Sequence, residues 1–331
     1  MFQSKVYARV GLAGNPSDGF NGKTLSACVR NWSADVRIVP AAHGRVIIDP
    51  NPIMDSLSYI NLEHLADQTC RYGHYGALRL IHATCAYFYK TYREDVAPGC
   101  GFDIVYKSTI PRQVGLGGSS AIVVALLNCL YDYFEIDVSL EERAHIAWGV
   151  ENEELGITAG LQDRVIQTFG GLVYMDFDKD IMQDKGYGNY ERLDYPLPNA
   201  FIAYTDSPCK NSGLVHNPIR QLFEGGNAKV ARSMVRLAKI ACGAREALKL
   251  KDYDALGSLM EFNFATRLAL YGDVGNDNIQ MIDIASRWGC PAKLPGSGGA
   301  IVGLYREEQY EPLLEAYELN DYECVKVVWD Q

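Results

Sequence analysis

The sequence predicts a mixed α and β protein in two parts, on three observations. The first fifty residues are strand-like, longer stretches with helical spacing follow, and each half holds one Gly-rich turn that leads into a regular element. At 331 residues the chain can form two modest domains, each large enough for its own core.

Taken in order, Lys5–Leu12 and Cys28–Pro40 are rich in Val, Ile, Ala and Arg with partial alternation, and Arg45–Asp49 adds a short run. All three are predicted strands. Between the first two, Ala13–Thr24 is too dense in turn residues to be anything but a loop. Asn61–Tyr92 has helical spacing through Leu62, Leu65, Ala66, Leu78, Ile81, Cys85 and Phe88, and Gly73 and Gly76 break it into two helices. Phe102–Ile110 is a strand that stops at Pro111. Ala121–Phe134 reads as a helix buried on most sides, and Ser139-Leu-Glu-Glu142 as a capping box opening a helix that runs to about Leu155. Leu161–Phe169 is helical and Leu172–Phe177 returns as a strand. The polar segment Asp178–Pro198 contains the expected domain boundary, which divides the chain into 1–190 and 191–331.

The second half opens on an apolar strand, Ala200–Tyr204, followed by a polar loop, Asp206–His216, whose composition suits either a mobile flap or a static surface loop. Helices are expected at about 227–250, 252–270 and 278–288. The second Gly-rich turn, within Pro291–Leu304, feeds a strand, and a helix at 309–319 and a strand at 323–329 close the chain.

Composition narrows the function classes. Hydrophobic content of 48% and charged content of 22% are those of a soluble globular protein. The net charge of −10 argues against a nucleic-acid partner or an anionic membrane surface. The opening Met1-Phe-Gln-Ser-Lys-Val6 lacks signal-peptide architecture, and no apolar run approaches the ~20 residues of a membrane span. Nine scattered cysteines without a CxxC pair read as reduced thiols in a cytoplasm, where the sequon Asn31-Trp32-Ser33 goes unused. The six histidines show no zinc-binding spacing.

The most informative run is Pro111-Arg-Gln-Val-Gly-Leu-Gly-Gly-Ser-Ser-Ala121. Gly115, Gly117 and Gly118 permit a tight bend, and Ser119 and Ser120 follow where a helix begins. Such a start offers unpaired N–H groups to a phosphate, but it could equally cap an ordinary helix. Two nucleotide signatures fail. Gly22-Lys23-Thr24 has Ser17 where a Walker loop needs glycine, and the Gly115-Leu-Gly117 pair has Ser120 where a dinucleotide fingerprint needs its third glycine.

Other pieces are chemically complementary. The Ser120 hydroxyl and the Glu151 carboxylate are donors that a hard Mg²⁺ ion accepts. Asp163, in Ala159-Gly-Leu-Gln-Asp-Arg-Val165, could accept or orient the proton of a substrate hydroxyl. The loop Gly14-Asn-Pro-Ser-Asp18 supplies groups that grip sugar hydroxyls. Each carboxylate taken singly fits a solvated surface group better. Their joint order carries the functional reading.

That order resembles the GHMP superfamily of small-molecule kinases. The resemblance rests on Ala8-Arg-Val-Gly-Leu-Ala-Gly-Asn-Pro-Ser-Asp18, Pro111–Ala121 and Lys293-Leu-Pro-Gly-Ser-Gly-Gly-Ala300, in that order. Within the superfamily the chain is most similar to the plant-type glucuronokinase branch, also through Tyr75-Gly-Ala-Leu-Arg-Leu80, Glu154-Leu-Gly-Ile157, Gly170-Gly-Leu-Val173, Asn263-Phe264 and Arg267. It departs from the galactokinase pattern by having Asn15-Pro16 in place of Glu-His, so galactokinase's sugar contacts do not transfer wholesale.

The resemblance implies an α+β, two-domain GHMP kinase fold: a ribosomal-S5-domain-2-like N-terminal domain and a smaller ferredoxin-like C-terminal domain, with the active site between them. It implies ATP and Mg²⁺, with D-glucuronate phosphorylated at its anomeric hydroxyl. Asp163 would face the reacting hydroxyl, with Arg9 balancing charge there. Pro111, Gly115, Gly117, Gly118, Ser119 and Ser120 would wrap the triphosphate, and Ser120 and Glu151 would hold the metal. Asn15, Asp18, Gly296, Ser297 and Gly298 would line the acceptor, and Tyr75 would stack on the sugar ring. For the uronate carboxylate, Arg267, Arg79, Arg112 and Lys23 are the candidate cations. The expected partners are a small sugar acid and ATP, with no nucleic acid or membrane, in a cytoplasmic monomer or homodimer. The alternatives are another sugar kinase of the superfamily, a decarboxylating relative, and a catalytically silent sugar sensor.

Overall fold

The computed structural model describes residues 1–41, 46–49, 78–96, 100–157, 159–205 and 219–330. The fold starts from a long hairpin. β1 (Phe2–Ala13) and β2 (Lys23–Pro40) pair antiparallel, from Phe2 opposite Ile38 to Ala13 opposite Leu25. Val6 and Ala8 are buried with Tyr7 less so, as alternation predicts, and from Ala8 to Ala13 the strand is covered on both faces. The register shifts between Tyr7 and Ala8 and again between Gly11 and Ala13, and such irregularities re-aim side chains. They bracket Arg9.

β2 begins five residues before the expected Cys28, at Lys23. Its first turn of pairing buries Thr24 and Ser26 completely, so the polar composition that suggested a loop is on the inside of a sheet. The expected loop at 13–24 also contains a 3₁₀ turn, Ser17–Phe20.

β1 runs along one edge of β2. The opposite edge takes β4 (Phe102–Ser108) beside residues 34–40 of β2, and β5 (Leu172–Asp176) beside residues 23–27. β3 (Val46–Asp49) adds parallel to β4, and β6 (Asn189–Leu193) antiparallel to β5. The strand β6 and a short helix, α5 (Lys179–Lys185), lie in the stretch that composition had marked only as polar. Of the helices expected within 61–92, the structure describes α1, Leu78–Thr91.

Against this sheet lies α2 (Gly118–Phe134), three residues longer at its N-terminus than expected and buried from Ser120 through Leu127. It needs no amphipathic stripe because it is covered on nearly every side. Half of the predicted capping box opens α3 (Leu140–Gly149): Ser139 accepts the Glu142 N–H at 3.2 Å, while the Glu142 carboxylate accepts the Tyr92 hydroxyl at 3.2 Å. α3 does not continue as a regular helix to Leu155. Val150–Glu154 form a π-helical turn, a distortion found mostly where function needs a side chain re-aimed. α4 (Gln162–Phe169) follows.

The second half contains β7 (Ala200–Tyr204), α6 (Ala228–Lys249), α7 (Tyr253–Tyr271), α8 (Asn276–Arg287), β8 (Ala292–Lys293), β9 (Ala300–Leu304), α9 (Glu307–Glu318) and β10 (Glu323–Lys326). Its strands form an antiparallel sheet in the order β10-β7-β9-β8, the ferredoxin-like arrangement. Met281, Ile284, Leu313 and Tyr317 pack with Phe201 in its local core.

The largest core crosses between the halves. Val10, Leu12 and Leu25 of the first sheet share it with Leu237 and Ala241 of α6, Met260 of α7, and Val302 of β9. Among the described residues no helix is long and apolar enough to cross a membrane, and Cys28, Cys85, Cys100, Cys129, Cys242, Cys290 and Cys324 are free thiols.

A polar clamp locks α7 to the end of β1. The buried Asn263 side chain accepts the Gly14 N–H at 2.7 Å and donates to the Asn15 carbonyl at 3.1 Å. Replacing Asn263 by Ala strands both backbone groups, so Asn263→Ala is expected to lower stability by about 2–3 kcal/mol. Urea unfolding measures this, and an unchanged midpoint would refute the clamp.

Candidate active site

One guanidinium organises the site. Arg9 is 4% exposed and donates through Nε to Asp163 Oδ1 and through Nη2 to Asp163 Oδ2, both at 2.7 Å. Its Nη1 donates to the Gly115 carbonyl at 2.6 Å and the Pro295 carbonyl at 3.0 Å. Four of its donors therefore tie β1 to α4 and to both Gly-rich loops, the fork geometry that only arginine supplies. The Asp163 side chain keeps 22% of its surface exposed and so stays accessible to a ligand.

The two loops touch. A Cβ on Gly115, whose φ is +70°, would stand 2.8 Å from the Ser297 N, and one on Gly296 would stand 2.1 Å from the Gly115 carbonyl oxygen. No side chain larger than hydrogen fits between them. Gly117 caps α2 in the left-handed region, at φ 76° and ψ 34°. Its carbonyl accepts from Gln167 Nε2 at 2.7 Å, from Ser120 Oγ at 3.2 Å and from the Ala121 N–H at 3.0 Å. The Ala121 bond is the first within the helix, so the N–H groups of Gly118, Ser119 and Ser120 precede the hydrogen-bond ladder at its positive end. Ser119 is exposed, Ser120 buried and Pro111 half-buried at the entrance to the loop.

Glu151 lies in the π-helical turn, 1% exposed, in an ion pair with the buried Arg164. Arg164 also donates to the Gly160 carbonyl at 3.0 Å and stands 3.9 Å from Asp163 Oδ2, so it lies between the two carboxylates. Sequence reasoning passed over Arg164 because a residue beside a candidate carboxylate carries no signal of burial. The same holds for Lys293. Fully buried, its Nζ donates to the Gly11 carbonyl, Asn15 Oδ1 and the Leu294 carbonyl at 2.6–2.7 Å. Burial, with Arg267 and Arg9 nearby, holds this ammonium well below the ordinary lysine range. It fixes Asn15, whose amide also donates to the Leu294 carbonyl at 3.3 Å.

Asp18 sits half-buried on the 3₁₀ turn, its Oδ2 accepting the Gln162 N–H at 3.4 Å. Gly160 allows this approach, since a Cβ there would overlap the same oxygen at 1.8 Å. Burial first, and the nearby Asp163 charge second, push the Asp18 carboxyl up to about 6.

Arg267, 2% exposed, donates to the Gly296 carbonyl at 2.6 Å and the Ser297 carbonyl at 3.0 Å, so it braces the C-terminal Gly-rich loop. Gly298, at φ 130°, and Gly299 complete that loop, and Asn278 accepts the Gly299 N–H at 2.9 Å. Lys23 pairs with Asp176, and Arg79 donates to the Leu155 carbonyl at 3.2 Å. Tyr75 and the Asp206–His216 loop lie outside the described residues. Among the described residues no cluster of three or more His, Cys, Asp or Glu could hold a metal unaided.

The chain belongs to the GHMP kinase family. The profile of the GHMP kinases N terminal domain matches residues 79–171, and that of the GHMP kinases C terminal matches residues 244–319. The chain is 39% identical to Glucuronokinase 1 of Arabidopsis thaliana over 307 residues, covering 91% of this chain and 84% of that protein. Probable glucuronokinase 2 of the same plant is equally similar, 39% over 310 residues with the same coverage. The solved structure of Lactococcus lactis galactokinase complexed with galactose superposes with a TM-score of 0.79 at 16% identity, over 100% of this chain and 94% of that one, and shares the fold.

The raised Asp18 carboxyl has a pH signature. In the unfolded chain it ionises near pH 4, in the folded chain near 6, so the folded state holds the extra proton between those values. The stability this contributes is complete below about pH 4 and is lost as pH rises through about 6. Asp18→Asn removes that titration. Relative to the parent, the variant should gain stability from pH 4 to 6 and hold the gain above it. Urea unfolding at pH 4, 5, 6 and 7 checks this, and a pH-independent difference contradicts the burial of the charge.

Proposed function

We propose that the chain is an ATP-dependent sugar kinase that transfers a phosphoryl group to the anomeric hydroxyl of D-glucuronate, giving glucuronate 1-phosphate and ADP. The observation that carries the chemistry is the accessible Asp163 carboxylate, aligned two-pronged by Arg9 at the junction of the two Gly-rich loops. The substrate follows from the 39% identity with the plant glucuronokinases over nearly the whole chain.

In this reading the first-turn N–H groups of α2 cradle the nucleotide's phosphates, and the left-handed Gly117 aims them. Asp163 receives the hydrogen bond of the anomeric hydroxyl and turns its oxygen toward the terminal phosphate. Arg9 prevents the carboxylate from rotating away and offsets its charge. In a loose transition state the proton leaves late, so orientation by Asp163 supplies much of its effect. Asp18 takes a ring hydroxyl, and Lys293 and Asn263 hold the loop that carries it.

Ser120 and Glu151 are hard oxygen donors that would hold Mg²⁺, and Glu151 would exchange its ion pair with Arg164 to do so. When bound, such an ion neutralises phosphate charge. Arg164 keeps the enclosed Glu151 compensated.

Asp163→Asn should lower turnover roughly a hundred- to ten-thousand-fold while ATP still binds. ADP release and nucleotide titration measure the two, and undiminished turnover removes Asp163 from the mechanism. ADP release across uronic and neutral sugars tests the substrate. Turnover of galactose without glucuronate would favour another sugar kinase of the family, and no turnover of any sugar would favour the silent sensor.

A further inference from the structure

A uronate differs from its neutral sugar by one carboxylate, and leaving water requires that this charge meet a cation or several N–H donors. Among the described residues the cations nearest the two loops are committed, Arg112 of the first loop included. Arg9 holds Asp163, Arg164 holds Glu151, Arg267 holds the Gly296 and Ser297 carbonyls, Lys293 holds three oxygens, and Lys23 holds Asp176.

Arg220 is placed differently. Residues 219–224 are helical, and the Phe223 ring packs edge-on against Phe20 with centroids 5.2 Å apart. That contact seats the helical turn on the 3₁₀ turn that carries Asp18. Arg220 precedes Phe223 by three residues and shares its face. Its Nη2 lies 3.4 Å from where a Cβ on Gly19 would stand, so only a glycine hydrogen separates the guanidinium from the backbone beside Asp18. The residue is half-buried, and among the described residues it makes no hydrogen bond or ion pair. A part-buried guanidinium without a carboxylate partner is expensive unless a ligand supplies one.

We propose that Arg220 receives the carboxylate of the acceptor sugar and thereby selects a uronic acid over a neutral sugar. This rests on the sugar-kinase reading above and names the residue that sets its substrate class. Asp18 on the Ser17–Phe20 turn would then take a ring hydroxyl, and Arg220, packed against Gly19 of that turn, would take the acid at the other end of the ring.

The test compares the parent chain with Arg220→Gln and Arg220→Lys on glucuronate, galacturonate, glucose and galactose. In Arg220→Gln the KM for the preferred uronate should rise about 10- to 100-fold, with KM for ATP and the unfolding midpoint unmoved. Selectivity over the matching neutral sugar should fall by the same factor. Arg220→Lys should recover part of it, since a point charge remains and the fork is lost. If the parent uses glucuronate and Arg220→Gln keeps its selectivity, the assignment of Arg220 is overturned and the kinase reading stands. If the parent prefers galacturonate, the glucuronate reading fails, and the same variant comparison still decides Arg220. Turnover of neutral sugars alone overturns both.

Discussion

The Arg9 guanidinium is the constraint on which the rest of the site depends. Strand β1 contributes the residue, but three distant segments receive its hydrogen bonds: Gly115, Asp163 and Pro295. Each partner comes from a different element, and Arg9 is enclosed by them, so none can move without stranding a buried charge. Planar and rigid, the guanidinium also fixes the directions of its neighbours as well as their distances. The neighbouring glycines complete this constraint. Gly115 and Gly296 let the two loops close over Arg9 to distances that any side chain would forbid.

In a chain with a net charge of −10, four of the 31 lysines and arginines lie buried around the site. Arg9, Arg164, Arg267 and Lys293 are all buried around Asp163, Glu151 and Asp18. Two are paired with carboxylates, while Arg267 and Lys293 are held by neutral oxygens. Arg267, held by neutral carbonyls, leaves positive charge next to the loops, where polyanionic phosphates are expected. Burial also separates the carboxylates by task. Glu151 is sealed with its own arginine, Asp163 is aligned but reachable, and Asp18 is pushed toward its neutral form by burial and by Asp163.

Much of the fold was legible in the sequence because hydrophobic period follows secondary structure directly. β1, β4, β5, β7, α2, α6 and α7 lie within a few residues of where alternation and helical spacing put them. The errors have a common cause. Thr24 and Ser26 are polar residues inside a sheet, so the loop expectation ran through Thr24 and the strand was expected only from Cys28. Val150–Glu154 keep a helical pattern while their backbone widens into a π turn, a change of one residue per turn that composition does not record. Helix α5 and strand β6 are short and exposed, so they lack an apolar period to read.

By itself the sequence determined which chemistry was available: the glycines where backbones must meet, the carboxylates, and the motif order that marks a GHMP kinase. Those features are local, and a run such as Gly115–Ser120 specifies its own bend. The tertiary structure alone decided who partners whom. Arg9 and Asp163 are 154 positions apart, Lys293 and Asn15 are 278 apart, and nothing in either neighbourhood announces the other. Nor could one-dimensional pattern distinguish Arg267, spent on loop carbonyls, from Arg220, whose fork makes no hydrogen bond among the described residues. A charged side chain's role depends on what surrounds it after burial, and that is set only when the two halves pack around their shared core.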